Sequence, residues 1–470
     1  MKVRNPRTGK ADYEIAPLSA DQLGVVSQQL RDAQLRWATR PVSDRANYLR
    51  KLAAAVALHA DVIAQALTTD TGRARISRIE VEGTIKLIER WADSAEAIVE
   101  VATVENRPTV IPGIRTSTRL VPYPLVGVIS PWNFPLTLAL IDAIPALMAG
   151  CAVIVKPSEV TPRFIRPLMS AITEVPEIPL TIIEGDGATG AALVPLVDYI
   201  AFTGSVATGR KVGVAAAEAF IPASLELGGK DPMIVLASAD PVKAAETALR
   251  ASVVNSGQAC QSIERIYVAR EIAEPFLEAL SQKATAVRLN YPDINCGDIG
   301  PFIFDKQAAI VQEQIDDART KGARLLAGGT VEDLGGGLYL HPTVLADVTA
   351  EMIVMTDETF GPVIPVTIFE TVEHAIKLAN SGVYGLSGAV IAATNEEAEA
   401  VGAQMNVGAV SINDGSLTSM VWEAEKSSFG LSGVGPSRMG DSGLLRFFRK
   451  QALIRQSGSA LPLSAYSEGS

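Results

Sequence analysis

Cysteine and histidine are scarce in this 470-residue chain, with 3 of each. Cys151, Cys260 and Cys296 are too few for a disulfide framework, which suggests a reducing compartment. His59, His341 and His374 stand in no metal-ligand spacing, which sets aside a zinc site and His-based triads. Positive charge is in deficit. A net charge of −11 and a pI of about 5.0 argue against nucleic acid or an anionic membrane as the main partner. No apolar run reaches the roughly 18 residues of a membrane span. Residues 1–17 are polar and lack the apolar core of a signal peptide. There is no internal repeat and no low-complexity linker. The expectation is a soluble cytoplasmic protein with no metal.

What is present is apolar bulk: hydrophobic residues make up 48% of the chain, enough for large cores. The length sets a prior of about three domains. Residues 19–100 read as helical, because Leu49, Leu52, Ala53, Val56 and Ala57 recur at helical spacing and Ile63, Ala66 and Leu67 continue it. Thr71-Gly72 marks a stop, and residues 79–99 form a further helical run. The charged residues here read as solvated faces. Between residues 104 and 123, Pro108, Pro112 and Pro122 frame an alternating stretch at 114–121, which suggests an extended ribbon.

From residue 126 onward the pattern changes. Short apolar strands at 126–129, 152–155, 181–183 and 199–202 alternate with helical runs at 135–148, 163–173, 190–196 and 209–219. This punctuation implies a parallel sheet with helices on both faces, and ligands in such sheets bind beyond the C-terminal ends of the strands. Gly185-Asp186-Gly187 and the Gly204–Gly209 stretch follow strands, where a dinucleotide would lie. They do not form the G-x-G-x-x-G fingerprint. Residues 233–442 read as a second α/β unit, with helices at 241–255, 271–288, 306–321 and 371–381 and a strand at 364–369. The last residues, 457–470, are small and polar, as in a mobile tail.

Two stretches carry chemistry. Ser252-Val253-Val254-Asn255-Ser256-Gly257-Gln258-Ala259-Cys260-Gln261-Ser262-Ile263-Glu264-Arg265 places one cysteine after a glycine and small residues. A free cysteine is most often a small buried hydrophobe, yet its thiolate attacks carbonyl carbons well. Leu225-Glu226-Leu227-Gly228-Gly229-Lys230 sets one carboxylate among apolar residues and glycines. Such a carboxylate can serve as general base for the thiol or for a water.

These two stretches resemble the active-site signatures of the NAD(P)-dependent aldehyde dehydrogenase superfamily. Four more segments resemble motifs of that family in the same order: Pro131-Trp132-Asn133-Phe134-Pro135, Lys156-Pro157-Ser158-Glu159, Phe202-Thr203-Gly204-Ser205 and Glu358-Thr359-Phe360-Gly361-Pro362-Val363. The resemblance implies an α/β fold with a variant Rossmann cofactor-binding domain (1–103 and 122–226) and an α/β catalytic domain (227–442). Small β oligomerisation elements (104–121 and 443–470) would pair residues 452–455 with the 114–121 ribbon in a homodimer or homotetramer.

The resemblance also implies roles. Cys260 attacks an aldehyde to give a thiohemiacetal and then a thioester. The Asn133 amide and the Cys260 backbone N–H hold the oxyanion, and Glu226 activates the hydrolytic water. The cofactor would lie against Trp132, Lys156, Ser158, Glu159, Gly187, Gly204, Ser205, Gly209, Leu227, Glu358 and Phe360, with Gly204 and Gly209 forming the variant G-x-x-x-x-G turn. Glu159 would accept from a ribose 2′-hydroxyl and repel a 2′-phosphate, favouring NAD over NADP. Leu138, Ile141, Gln261, Met420, Val421, Trp422 and Phe429 align with the substrate funnel of relatives. Their apolar character favours an aromatic or apolar aldehyde. A semialdehyde dehydrogenase of the same fold is the alternative, and a cysteine-dependent esterase the alternative from another class.

The chain departs from the family pattern twice. Asp142 stands where relatives often carry a lysine. Gly435-Pro436-Ser437-Arg438 replaces a Gly-Arg-Glu, so that glutamate is missing. Both missing residues have been assigned to proton relay from the base, which puts that route in doubt.

Overall fold

Two sheets of buried parallel strands organise the computed structural model, which describes residues 1–468. The first has the order 433–434, 223–226, 199–203, 125–129, 152–156, 180–182 and is parallel except at its 433–434 edge. The strands Leu125–Ile129, Ala152–Lys156 and Tyr199–Thr203 are buried along their whole length. Their near-continuous Val, Ile and Ala follow from burial on both faces. The second sheet has the order 324–327, 343–346, 363–369, 263–269, 231–235, 388–391, 410–412, parallel except at 324–327. Apolar clusters cover both faces of each sheet.

The helices Ala20–Ala38, Val42–Leu58, Ala60–Thr71 and Ala74–Ala102 occupy the stretch read as helical, and Gly72 ends the third in a left-handed cap. One expectation fails there. Arg45, Asp70, Arg73 and Glu80 are buried and not on solvated faces. In the helix Ala74–Ala102, Ser77 and Glu80 fall in phase with Thr84 and Leu87 on the inward stripe, Asp70 shares that of Ile63 and Leu67 in the helix before it, and Arg73 is buried at the extended bend between the two.

Two other boundaries differ from expectation. The run at 135–148 is split into Pro135–Leu140 and Ala143–Ala149, because Pro145 has no N–H to offer the carbonyl four residues back at Ile141. The helix expected at 241–255 ends at Val253, since Asn255 and Ser256 adopt left-handed φ values of 62° and 56°.

The strands Phe448–Gln456 and Ile114–Pro122 pair antiparallel along their full length, with Arg107–Pro108 on the far edge. Ser457 continues the pairing by donating from its backbone N–H to Gly113. Of the segment read as a tail, residues 469–470 lie outside the described residues.

The first residues, read only as polar, form a hairpin of Lys2–Arg4 and Ala11–Glu14. Arg7 Nη1 donates to the Asn290 carbonyl at 2.8 Å and to the Tyr339 hydroxyl at 3.2 Å, and Arg4 donates to the Gly336 carbonyl at 3.1 Å. On the other side Arg166 donates to the Glu14 carbonyl at 3.2 Å, and Arg163 pairs with Asp12 and with buried Asp70. The hairpin therefore straps the second sheet's unit to the first.

Candidate active site

A cleft of about 610 Å³ opens at the C-terminal ends of the first sheet's strands and runs to Cys260. The strand ends dictate its lining. Ile129 leads into Trp132 and Asn133, Lys156 into Ser158 and Glu159, and Thr203 into Gly204 and Ser205. Gly187, Leu227, Glu358 and Phe360 complete the expected set, while Lys211, Phe304 and Gln307 line it unforeseen. Gly209 takes a supporting part: a Cβ there would lie 2.4 Å from the Leu227 side chain, so the glycine lets the helix Val206–Glu218 pack on Leu227.

The cleft fits a dinucleotide. Ser205 caps that same helix through the Thr208 N–H, which turns the positive helix end toward the cleft where a pyrophosphate would lie. A Cβ on Gly187 would meet nothing within 4 Å, so the bare backbone faces open space. Lys156 Nζ is buried, donates to the Gly185 carbonyl at 3.2 Å and stands 3.6 Å from Glu159. Burial lowers its pKa. The Trp132 ring meets the Phe360 ring edge-on at 5.3 Å, at the end of the cleft nearer Cys260.

The cysteine turn is built on two left-handed residues and a glycine. Gly257 has φ +69°, and a Cβ there would sit 2.2 Å from the Gly361 carbonyl oxygen. Asn133 Nδ2 donates to the Gln258 carbonyl at 3.0 Å, and Asn255 Nδ2 donates to the same oxygen at 2.8 Å. One Asn133 N–H remains free to serve an oxyanion. Cys260 is half-buried, and burial beside Glu358 and Asp231 pushes its thiol up to about 12, with Arg438 pulling the other way. The resting thiol is therefore protonated near neutral pH.

Sequence reasoning missed what holds Asn133. Buried Arg73 donates to the Asn133 carbonyl at 3.1 Å. Glu80 accepts from the Leu136 and Thr137 N–H groups at 2.6 and 2.8 Å, capping the helix that follows. The inward phase of Glu80 with Thr84 and Leu87 was the available signal.

Glu226 ends the strand Ala223–Glu226. Its Oε2 accepts from Ser428 Oγ at 3.2 Å, and its Oε1 lies 3.8 Å from Arg438 Nε. The next residues thread a narrow gap. A Cβ on Gly228 would lie 2.5 Å from Glu358, and one on Gly229 would lie 2.7 Å from the Cys260 carbonyl. Burial beside Glu264 pushes the Glu358 carboxyl up to about 8.

The expected funnel residues are not one surface. Leu138 lines the cleft, and Gln261 accepts from Thr418 Oγ1 at 3.2 Å. Met420, Val421 and Phe429 are exposed. Ile141 is packed in the core instead of facing a funnel. Trp422 packs against the same core, with Arg90 over its ring at 5.0 Å. Two cations missed from sequence stand close by. Lys426 Nζ donates to the Thr418 carbonyl at 2.6 Å, and Arg438 faces Glu226.

Comparison with known proteins places this fold. Residues 1–453 match the model of the aldehyde dehydrogenase family, and the chain belongs to that family. A Mycobacterium ulcerans protein named "Putative succinate-semialdehyde dehydrogenase NADP(+) 2" is 36% identical over 95% of this chain and 86% of its own length. The structure named "Putative Aldehyde Dehydrogenase PutA from Anabaena variabilis" superposes with a TM-score of 0.96 at 50% identity, covering 98% of this chain and 99% of that one. Lactaldehyde dehydrogenase from Escherichia coli superposes with a TM-score of 0.91 at 30% identity, covering 97% and 96%. The chain is thus an oxidoreductase of aldehydes with a mixed α/β, Rossmann-like fold.

Proposed function

We propose that the protein oxidises an aldehyde to the carboxylic acid through a thiohemiacetal and then a thioester on Cys260, released by hydrolysis. The observation that carries this is the meeting of Cys260, Asn133 and the Glu226–Lys230 stretch at one end of a dinucleotide-sized cleft. The Cys260 sulfur bonds to the carbonyl carbon as its proton passes to solvent water and the C=O electron pair moves onto the oxygen. The free Asn133 N–H and the Cys260 backbone N–H hold the oxygen where charge develops. When bound, the oxidised nicotinamide supplies the hydride acceptor. Glu226 then takes a proton from the water that attacks the thioester. Glu159 at the ribose end supports NAD over NADP, although the Mycobacterium ulcerans relative carries NADP(+) in its name.

Leu138 in the cleft supports an aldehyde with an apolar body. A second reading, a semialdehyde with a distal carboxylate, is favoured by Lys426, one contact beyond Thr418 and Gln261, and by that relative's name. The exposed Leu453 and Ile454 on the Phe448–Gln456 strand support assembly into a homo-oligomer.

Rapid mixing with an aldehyde and NAD tests the mechanism. Glu226→Gln should give an NADH burst of about one per active site, with steady turnover down roughly 10²-fold. Asn133→Ala should slow the burst itself by about 10²–10³. Normal steady turnover in Glu226→Gln excludes it as the base. A panel of neutral and carboxylate-bearing aldehydes, compared between wild type and Lys426→Met, separates the two substrate readings.

A further inference from the structure

The two stretches at which the chain departs from its relatives' pattern touch, through Asp142 and Arg438, 296 residues apart. Arg438 Nη2 donates to Asp142 Oδ2 at 2.8 Å and to Thr203 Oγ1 at 2.6 Å. Arg446 closes the other side of Asp142. The guanidinium is thereby fixed, and its Nε, buried and without a hydrogen-bond partner, stands 3.8 Å from Glu226 Oε1. A guanidinium stays charged at every accessible pH and cannot hand on a proton. A relay of the lysine and glutamate kind is therefore replaced by a fixed cation.

We propose that Arg438 is a positioning residue for deacylation: Asp142 and Thr203 hold its guanidinium so that Nε fixes the Glu226 carboxylate beside the Cys260 thioester. The proposal rests on the reading of Glu226 as the base. The water oxygen bonds to the acyl carbon as one of its protons passes to Glu226. The C–S bond breaks, its electron pair returns to Cys260 as thiolate, and the product leaves as the carboxylic acid. Glu226 loses a negative charge as Cys260 gains one, so the fixed cation faces one anion before and after. The proton on Glu226 leaves on the Ser428 side, where the glutamate side chain is 21% exposed. The groups facing Cys260 are the Glu358, Asp231 and Glu226 carboxylates and the Arg438 and Lys426 cations.

The test uses the full chain with NAD and compares wild type, Arg438→Ala, Arg438→Lys and Glu226→Gln. Arg438→Ala should keep an NADH burst of about one per active site while steady turnover falls about 10- to 100-fold, within the attraction of two opposite charges about 4 Å apart near a protein surface. Added guanidinium should restore part of that turnover, and Arg438→Lys should lie between. The rate of Cys260 alkylation by iodoacetamide should move to higher pH in Arg438→Ala. Turnover of Arg438→Ala within about twofold of wild type, with Glu226→Gln depressed, overturns the role of Arg438 alone. Normal turnover in Glu226→Gln overturns the base assignment beneath it. Equal loss of burst and turnover in a folded, NAD-binding Arg438→Ala also overturns the proposal. Should Arg438→Ala fail to fold, Arg438→Lys keeps a cation for Asp142 but has no donor at the Nε position, and the same outcomes decide.

Discussion

The Lys230 ammonium lies 2.8 Å from the Glu264 carboxylate, and both are buried. Lys230 Nζ also donates to Thr359 Oγ1 at 2.7 Å, and Glu264 accepts from the Thr359 and Phe360 N–H groups, each at 2.8 Å. Lys230 follows Glu226 by four residues, and Glu264 follows Cys260 by four. One ionic contact therefore sets the Glu226 strand end, the Cys260 turn and the Glu358–Phe360 loop relative to one another. Phe360 itself is held at φ +52°.

Removing one partner of that pair leaves a buried charge uncompensated. Lys230→Met and Glu264→Gln should each cost about 3–5 kcal/mol in denaturant unfolding. The double variant should cost less than the sum. Additive losses would show that the two residues do not act as a pair.

The nucleophile prediction separates the three cysteines. Cys260→Ser should abolish NAD-dependent oxidation, whereas Cys296→Ser, at an exposed turn, should leave it unchanged. Cys151 is fully buried, and its thiol is pushed above its ordinary range by burial, so Cys151→Ser should retain most activity with some loss of stability. NADH formation and thermal melts measure both.

Gly257→Ala should disrupt the cysteine turn. The new methyl would need a left-handed backbone and would meet the Gly361 carbonyl at 2.2 Å. We expect a loss of about 1–3 kcal/mol in stability and a larger fall in acylation rate. A crystal structure or a burst measurement would show whether Cys260 has moved.

Asp231 gives a pH signature. Burial pushes its carboxyl up to about 7, opposed by hydrogen bonds from Ser387. An acid whose folded pKa is raised binds more protons folded than unfolded, so its contribution is full below the unfolded pKa of about 3.9 and is lost as pH rises through about 7. Asp231→Asn should therefore gain on wild type between pH 4 and 7, by on the order of 4 kcal/mol at most. The same variant removes a carboxylate that raises the Cys260 thiol, so Cys260 should be alkylated faster at a given pH. Parallel melts of the two proteins across pH, with no widening gap, would refute the first half.

For the cofactor, wild type should show higher kcat/KM with NAD than with NADP, and Glu159→Gln should narrow the gap. A wild-type preference for NADP would overturn the reading of Glu159.

Much of the site was legible because its parts are local. Glu226–Lys230, Gly257–Cys260 and Glu358–Pro362 are short stretches in which glycines permit the backbone approaches that the fold requires. The parallel strands were legible because burial on both faces leaves continuous apolar runs. What was not legible is what distant pairing decides. Asp142 looks like a mere departure until Arg438 and Arg446 meet it. Glu80 looks like a solvated charge until its phase is compared with Thr84 and Leu87, and Arg73 until the bend between two helices buries it. Resemblance puts Ile141 in a funnel, but between the helices Pro135–Leu140 and Ala143–Ala149 it packs in the core.

The hairpin at the start of the chain has a consequence for how the protein is made. Arg7 is synthesised 283 residues before the Asn290 carbonyl it binds, and 332 before Tyr339. Its guanidinium must wait, solvated, through most of translation while the first sheet's unit folds beside it. The hairpin therefore fastens the two units through residues made far later than itself. A chain stalled before residue 290 would carry an unfastened strap and a first sheet without its 433–434 edge.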